Sequence, residues 1–180
     1  MKNYKNNILF FLIIIMSISL TSCGNDDNNQ DEDVFAACCS GEPAFGPDVD
    51  NLDQSEGEIV VDNLFTPNND AFNDRLQIEN IEFYSNHIVT IYNNEDEVVF
   101  ESNDYGSDLN ELFPNVPYGE FGVEGMPDGT YKYKVIVENE QTFSKSGFFC
   151  LFTNNPVIEQ NFAECEPLQQ GEFDPILTGL

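Results

Sequence analysis

The clearest alternation of apolar and charged residues in the chain is Tyr131-Lys132-Tyr133-Lys134-Val135-Ile136-Val137. Successive side chains of a β-strand point to opposite faces of its sheet, so the two tyrosines and the two valines share one face. Lys132 and Lys134 lie on the other face. The stretch therefore predicts a strand that packs one face against a hydrophobic core.

Short stretches of similar character surround this strand and are separated by turns rich in Asn, Asp, Gly and Pro. Asn93-Asn94-Glu95-Asp96 lies between two apolar runs and predicts a hairpin. No segment shows the period of an amphipathic helix. The pattern predicts an all-β fold, an immunoglobulin-like antiparallel β-sandwich of seven strands in residues 58–152. The predicted strands are 58–62, 75–79, 87–92, 97–101, 120–124, 131–138 and 142–152.

The charge of the chain excludes several classes of partner. Acidic residues outnumber basic ones by 33 to 6, for a formal net charge of -27, while 41% of the residues are hydrophobic. That hydrophobic fraction suits a folded domain better than a disordered polyelectrolyte. Nucleic acid is excluded because its phosphates are bound through Lys and Arg, and peripheral binding to anionic lipid is excluded for the same reason.

The N-terminus predicts export. Lys2 and Lys5 precede an apolar run over residues 8–20, which as a helix spans only about 20 Å of a hydrocarbon core about 30 Å thick. Residues 1–22 are therefore predicted to be a signal peptide. Leu20-Thr21-Ser22-Cys23 resembles the lipobox of bacterial lipoproteins, which implies acylation of Cys23, a membrane anchor and an outer-membrane location at the cell surface.

Residues 23–57 are predicted to form a disordered, lipid-anchored tether. Residues 24–33 contain five acids and no base, and cannot bury apolar area. They also resemble the acidic export signals of surface lipoproteins in gliding bacteria. A solvated spacer that holds the domain off the membrane is the other interpretation.

Four motifs resemble the gliding motility-associated C-terminal domain family, in that family's order. They are residues 64–74 (LFTPNNDAFND), the hairpin 88–102, residues 127–133 (PDGTYKY) and residues 146–149 (SGFF). The resemblance implies a small β-sandwich that serves as a sorting signal for type IX secretion. The chain departs from the family pattern in lacking Trp, in having Asn69 and Ala71 where glycine is favoured, and in continuing over residues 153–180.

Five cysteines occur, and lipidation of Cys23 leaves an even number in an oxidising envelope. A bridge between the adjacent Cys38 and Cys39 would be strained, because their Cα atoms lie about 3.8 Å apart. The prediction is one bridge from each of these to Cys150 and Cys165, which would staple the tail 153–180 to the domain. Metal binding by the thiols is disfavoured, since they form no CxxC pair and have no histidine partner.

Asp62, Asn68, Asp70 and Asp74 offer hard oxygen ligands at close spacing and define a candidate Ca²⁺ site. No other cofactor is expected. The segment lacks the turn glycine and the distal bidentate glutamate of a calcium loop, and Asn and Asp also dominate ordinary turns. The structural turn is the favoured interpretation.

The chain is predicted to be non-enzymatic. His87, the only histidine, is interpreted as a surface or edge-strand residue, and no catalytic motif of a hydrolase, metalloprotease or nucleotide-binding enzyme occurs. The expected role is display, docking or assembly with a protein of the secretion or motility machinery. The alternative is a surface adhesion or glycan-binding module, for which a loop containing Phe113, Pro114, Pro117 and Tyr118 offers an aromatic patch.

Overall fold

The computed structural model describes residues 34–38, 40–115, 127–138 and 142–153. Two short 3₁₀ turns, Ile81–Phe83 and Leu109–Glu111, interrupt an otherwise β architecture. The described residues contain seven strands: β1 (Val60–Val61), β2 (Leu64–Phe65), β3 (Ile78–Glu79), β4 (His87–Tyr92), β5 (Val98–Ser102), β6 (Gly129–Val137) and β7 (Phe143–Leu151).

The strands form two sheets, which confirms the all-β prediction. Five strands follow the order β2-β7-β6-β4-β5, and β1 pairs with β3 in a second, two-stranded sheet. The prediction of a wholly antiparallel fold is wrong at one pair, because β2 runs parallel to β7 with Leu64 opposite Cys150. Strand β2 is absent from the predicted set, and the predicted strand 120–124 lies outside the described residues.

The hydrophobic core takes residues from both sheets. On β6, Tyr131, Tyr133, Val135 and Val137 are all buried, as their alternation predicts. They pack in one cluster with Ile78 of β3 and with residues of β4 and β7. The opposite face of β6 is half-buried, and Phe45 of the N-terminal flank packs on Tyr92, which pairs with Lys132 on that face.

The N-terminal flank is folded over part of the region that the sequence predicted to be a disordered tether. We call residues 34–38 and 40–49 the strap. The Val34 carbonyl accepts a hydrogen bond from the Thr130 amide (2.8 Å), the Phe35 ring stacks on Phe152 (4.7 Å between centroids), and Phe45 packs on Tyr92 (4.6 Å). The strap is therefore part of the folded unit, whereas residues 23–33 lie outside the described residues.

The strap also pairs with the part of β7 that β2 leaves open, since β2 reaches only Cys150 and Leu151. Val49 and Ser144 exchange two backbone hydrogen bonds of 2.8 and 3.1 Å, and the Asp48 carboxylate accepts the Ser146 amide at 2.9 Å. Beyond the strap, the Gln54 side chain accepts the Ile59 amide, and the Tyr84 hydroxyl donates to the Gly57 carbonyl. These contacts satisfy backbone groups that an open sheet edge would leave exposed to other chains.

The buried tyrosines predict a loss of stability in strongly alkaline solution. Burial, with a smaller effect of the Asp48 carboxylate, raises the pKa of Tyr133 from 10.0 to about 12. Between these values the unfolded chain loses the phenolic proton while the folded chain keeps it. The stabilisation is therefore complete below pH 10, and is lost as the pH rises towards 12 by about 1.4 kcal/mol per pH unit.

We expect Tyr133→Phe to lose less free energy of unfolding than the parent over this alkaline range. Urea unfolding of both proteins, followed by circular dichroism below pH 10 and near pH 12, measures the difference. Parallel losses in the two proteins would contradict the prediction.

Candidate functional site

The Asp74 loop, residues 66–74, contains three of the four candidate calcium ligands. The Asp74 carboxylate accepts three backbone amides, from Asn68 (3.0 Å), Asn69 (2.6 Å) and Ala71 (2.8 Å), and the residue is only 8% exposed. The Thr66 amide closes the loop by donating to the Asn73 carbonyl. The carboxylate therefore holds the turn together through charge-assisted hydrogen bonds.

Of the calcium ligands predicted at Asp62, Asn68, Asp70 and Asp74, the three in the loop hydrogen-bond to one another or to its backbone. Asp70 accepts from the Asn68 side chain (2.9 Å) and the Phe72 amide (2.9 Å), so its oxygens are directed at the turn itself. Within residues 34–38, 40–115, 127–138 and 142–153, no group of three acidic, histidine or cysteine side chains could hold a metal. The geometry matches the structural turn.

Asn69 and Ala71, which stand where the resembled family favours glycine, both have strained backbone conformations. Asn69 has a φ of 66° and Ala71 a φ of 73°, both in the left-handed region. Asparagine tolerates this region, whereas for an alanine the conformation costs about 1–2 kcal/mol. The preference for glycine at these positions thus has a conformational cause.

We expect Ala71→Gly to raise the free energy of unfolding by about 1 kcal/mol, because it removes the strain at a small cost in chain entropy. Ala36→Gly is the matched control, an exposed alanine outside the left-handed region, and should be neutral or slightly destabilising. Thermal unfolding measures both variants. Equal shifts would show that φ at residue 71 is not the cause.

One disulfide lies in the described part of the chain and joins Cys38 of the strap to Cys150 of β7, with Cα atoms 5.4 Å apart. Cys150 is fully buried beside Phe35, Leu64 and Phe152. This is one of the pairings that the sequence left open. Cys39 and Cys165 lie outside the described residues, as does the lipidation candidate Cys23, so a second bridge stays a prediction.

The interpretation of His87 as a surface or edge residue is wrong. It is 4% exposed and begins β4, which lies between β6 and β5. Its Nδ1 lies 2.6 Å from the Tyr84 carbonyl and its Nε2 accepts the Tyr105 amide at 2.8 Å. Both ring nitrogens therefore serve the backbone, and a lone histidine in a sequence gives no signal of a partner such as Tyr105, which lies 18 residues away.

The predicted aromatic patch is also placed differently. Phe113 is 2% exposed, and its ring lies within 5.8–6.1 Å of the rings of Phe65, Phe100, Tyr131 and Phe149. Pro114 is buried as well, while Pro117 and Tyr118 lie outside the described residues. Phe113 is thus a core residue supplied by a loop, and it offers no surface for a glycan.

Residues 59–151, just over half of the chain, match the CHU_C type IX secretion signal domain. The chain belongs to this family. The match includes all seven strands and leaves the strap outside. No curated protein and no solved structure is significantly similar to the chain.

Two glycines of the motifs shared with the type IX secretion signal domains are explained by close approaches. At Gly147, a Cβ atom would lie 2.6 Å from the Tyr133 hydroxyl, which packs across the strand. At Gly129 it would lie 2.8 Å from the Val34 carbonyl of the strap, and φ there is 149°. The signal domain and the strap are therefore fitted to each other at the start of β6.

The family identifies a type IX secretion-related sorting domain and so a secreted or cell-surface protein. Among the residues that the structure describes, no helix has the length and apolar character needed to cross a membrane.

Proposed function

We propose that the protein is a non-enzymatic lipoprotein of the outer membrane, anchored through Cys23 and displayed at the cell surface. Its signal domain is the working part and docks to a protein of the type IX secretion or gliding machinery. The strap carries this proposal. Only residues 24–33 separate Cys23 from Val34, whose carbonyl already accepts a hydrogen bond from β6, so an anchor at Cys23 would hold the signal domain directly.

The chemistry of the described residues supports a binding role over catalysis. His87, the one imidazole in the chain, uses both nitrogens on buried backbone groups and is withheld from acid–base work. The Asp74 carboxylate is likewise directed at backbone amides of its own loop.

The anchor is tested with Cys23→Ala and, as a matched control, Cys39→Ala. We expect the parent and the control to incorporate labelled palmitate, to sediment with membranes and to be removed from intact cells by added protease. Cys23→Ala should lose the label and leave the membrane fraction. Membrane retention of Cys23→Ala would overturn the lipid anchor.

Docking is tested by co-precipitation from cells with and without a functional type IX secretion system. We expect components of the secretion or motility machinery to be recovered with the parent, and surface exposure to be lost when secretion is disabled. Unchanged exposure in the disabled strain would refute the link to this machinery.

A further inference from the structure

The Cys38–Cys150 disulfide closes a loop that contains the most exposed stretch of the strap. Residues 41–43 and 45–47 are all exposed, and space is open around Gly41. The sequence separation across the bridge is 112 residues, so nearly the whole signal domain lies between the two cysteines. A backbone cut in residues 41–47 would therefore leave both pieces in one covalent molecule.

Few other contacts hold the part of the strap that precedes such a cut. For a cut between Gly41 and Glu42, the upstream part contacts the domain through the Val34–Thr130 hydrogen bond, the packing of Phe35 with Leu64 and Phe152, and the disulfide. The pairing of Asp48 and Val49 with β7 lies on the other side and stays with the domain. Once the chain is cut and the disulfide is reduced, no covalent bond joins residues 34–41 to the domain.

We propose that the Cys38–Cys150 disulfide is a redox lock: after cleavage at the exposed residues 41–47, the N-terminal flank separates from the signal domain only when the disulfide is also reduced. The lock is a property of the chain alone. Release of the signal domain from the membrane by this route rests on the proposed function, because it requires the flank to be anchored at Cys23.

The burial of the two cysteines defines the route of reduction. Cys150 is fully buried, whereas Cys38 is only partly buried. A thiolate of a dithiol reductant attacks the Cys38 sulfur, and the Cys150 sulfur leaves as a thiolate that takes up a proton. The second thiol of the reductant then displaces Cys38 as a thiol, and the reductant ends as a disulfide.

The test uses the full chain with a site-specific protease sequence inserted between Gly41 and Glu42, in a Cys39→Ala/Cys165→Ala background that removes any second bridge. The purified protein is cut, treated with dithiothreitol, given both treatments or given neither. Gel filtration and non-reducing electrophoresis follow the upstream piece, and circular dichroism follows the fold of the domain.

We expect the piece to stay with the domain after either treatment alone and to separate almost completely after both. The same cleavable protein with Cys38→Ala and Cys150→Ala should separate after the cut alone. Separation of the disulfide-containing protein without reduction, or persistent association after cutting and reduction, would overturn the lock. No membrane is involved, so this result is independent of the Cys23→Ala experiment.

Discussion

Phe113→Ala lowers the free energy of unfolding by about 3–5 kcal/mol, the range for truncating a fully buried aromatic side chain. The ring lies between four other aromatic rings that belong to β2, β5, β6 and β7. Its removal opens a cavity which strands held by backbone pairing cannot close. Urea unfolding followed by circular dichroism measures the loss.

Phe83→Ala is the matched control, because Phe83 is 47% exposed in a 3₁₀ turn and should cost less than about 1 kcal/mol. The pair also separates two interpretations of the loop around residue 113. Truncating an exposed ring that contacts a ligand would leave the free energy of unfolding nearly unchanged. Such a result for Phe113 would support its interpretation as a surface residue.

Asp74→Ala is expected to cost about 3 kcal/mol. The substitution leaves three amides of the Asp74 loop without their common acceptor, and each buried unsatisfied amide costs about 1–3 kcal/mol before local relaxation. The expected loss is below the sum, because a loop at the surface admits water to some of these groups. Urea unfolding measures it.

Asp53→Ala is the control, since the Asp53 carboxylate accepts one amide, from Ser55, at an exposed turn. Its cost should be less than about 1 kcal/mol. Adding calcium or a chelator should leave the melting temperature of the parent unchanged, because the carboxylates of the loop serve the backbone. A melting temperature that rises with calcium would instead indicate that the loop binds the metal.

The elements that the sequence predicts well are those defined by neighbours along the chain. The alternation in β6 places its tyrosines and valines inward, and Asn93 forms the predicted hairpin by accepting the amides of Glu95 and Glu97. Strand β2 escapes prediction because it has only two residues and pairs with a strand more than eighty residues away.

The strap escapes prediction for a related reason. Glycine and proline interrupt it, and its apolar residues follow no strand or helix period. Phe35 and Phe45 bind to surfaces that exist only after the sheet has formed, namely Phe152 and the outer side of Tyr92. The one local signal is cysteine, since pairing Cys38 with Cys150 already requires the flank to reach the last strand.

Most of the cations in the described residues have partners within the molecule. Arg75 is buried and donates to the Pro114 carbonyl, Lys145 donates to the Ile59 carbonyl, and Lys132 pairs with Asp96 at 2.6 Å. Lys134 is the one further cation in the part of the chain that the structure describes, so little positive charge is left to bridge to the carboxylates of a neighbouring copy. Neighbouring copies therefore repel one another over a distance of about 10 Å at 0.1 M salt. On a surface this repulsion keeps the copies apart, and closer packing becomes easier as the ionic strength rises.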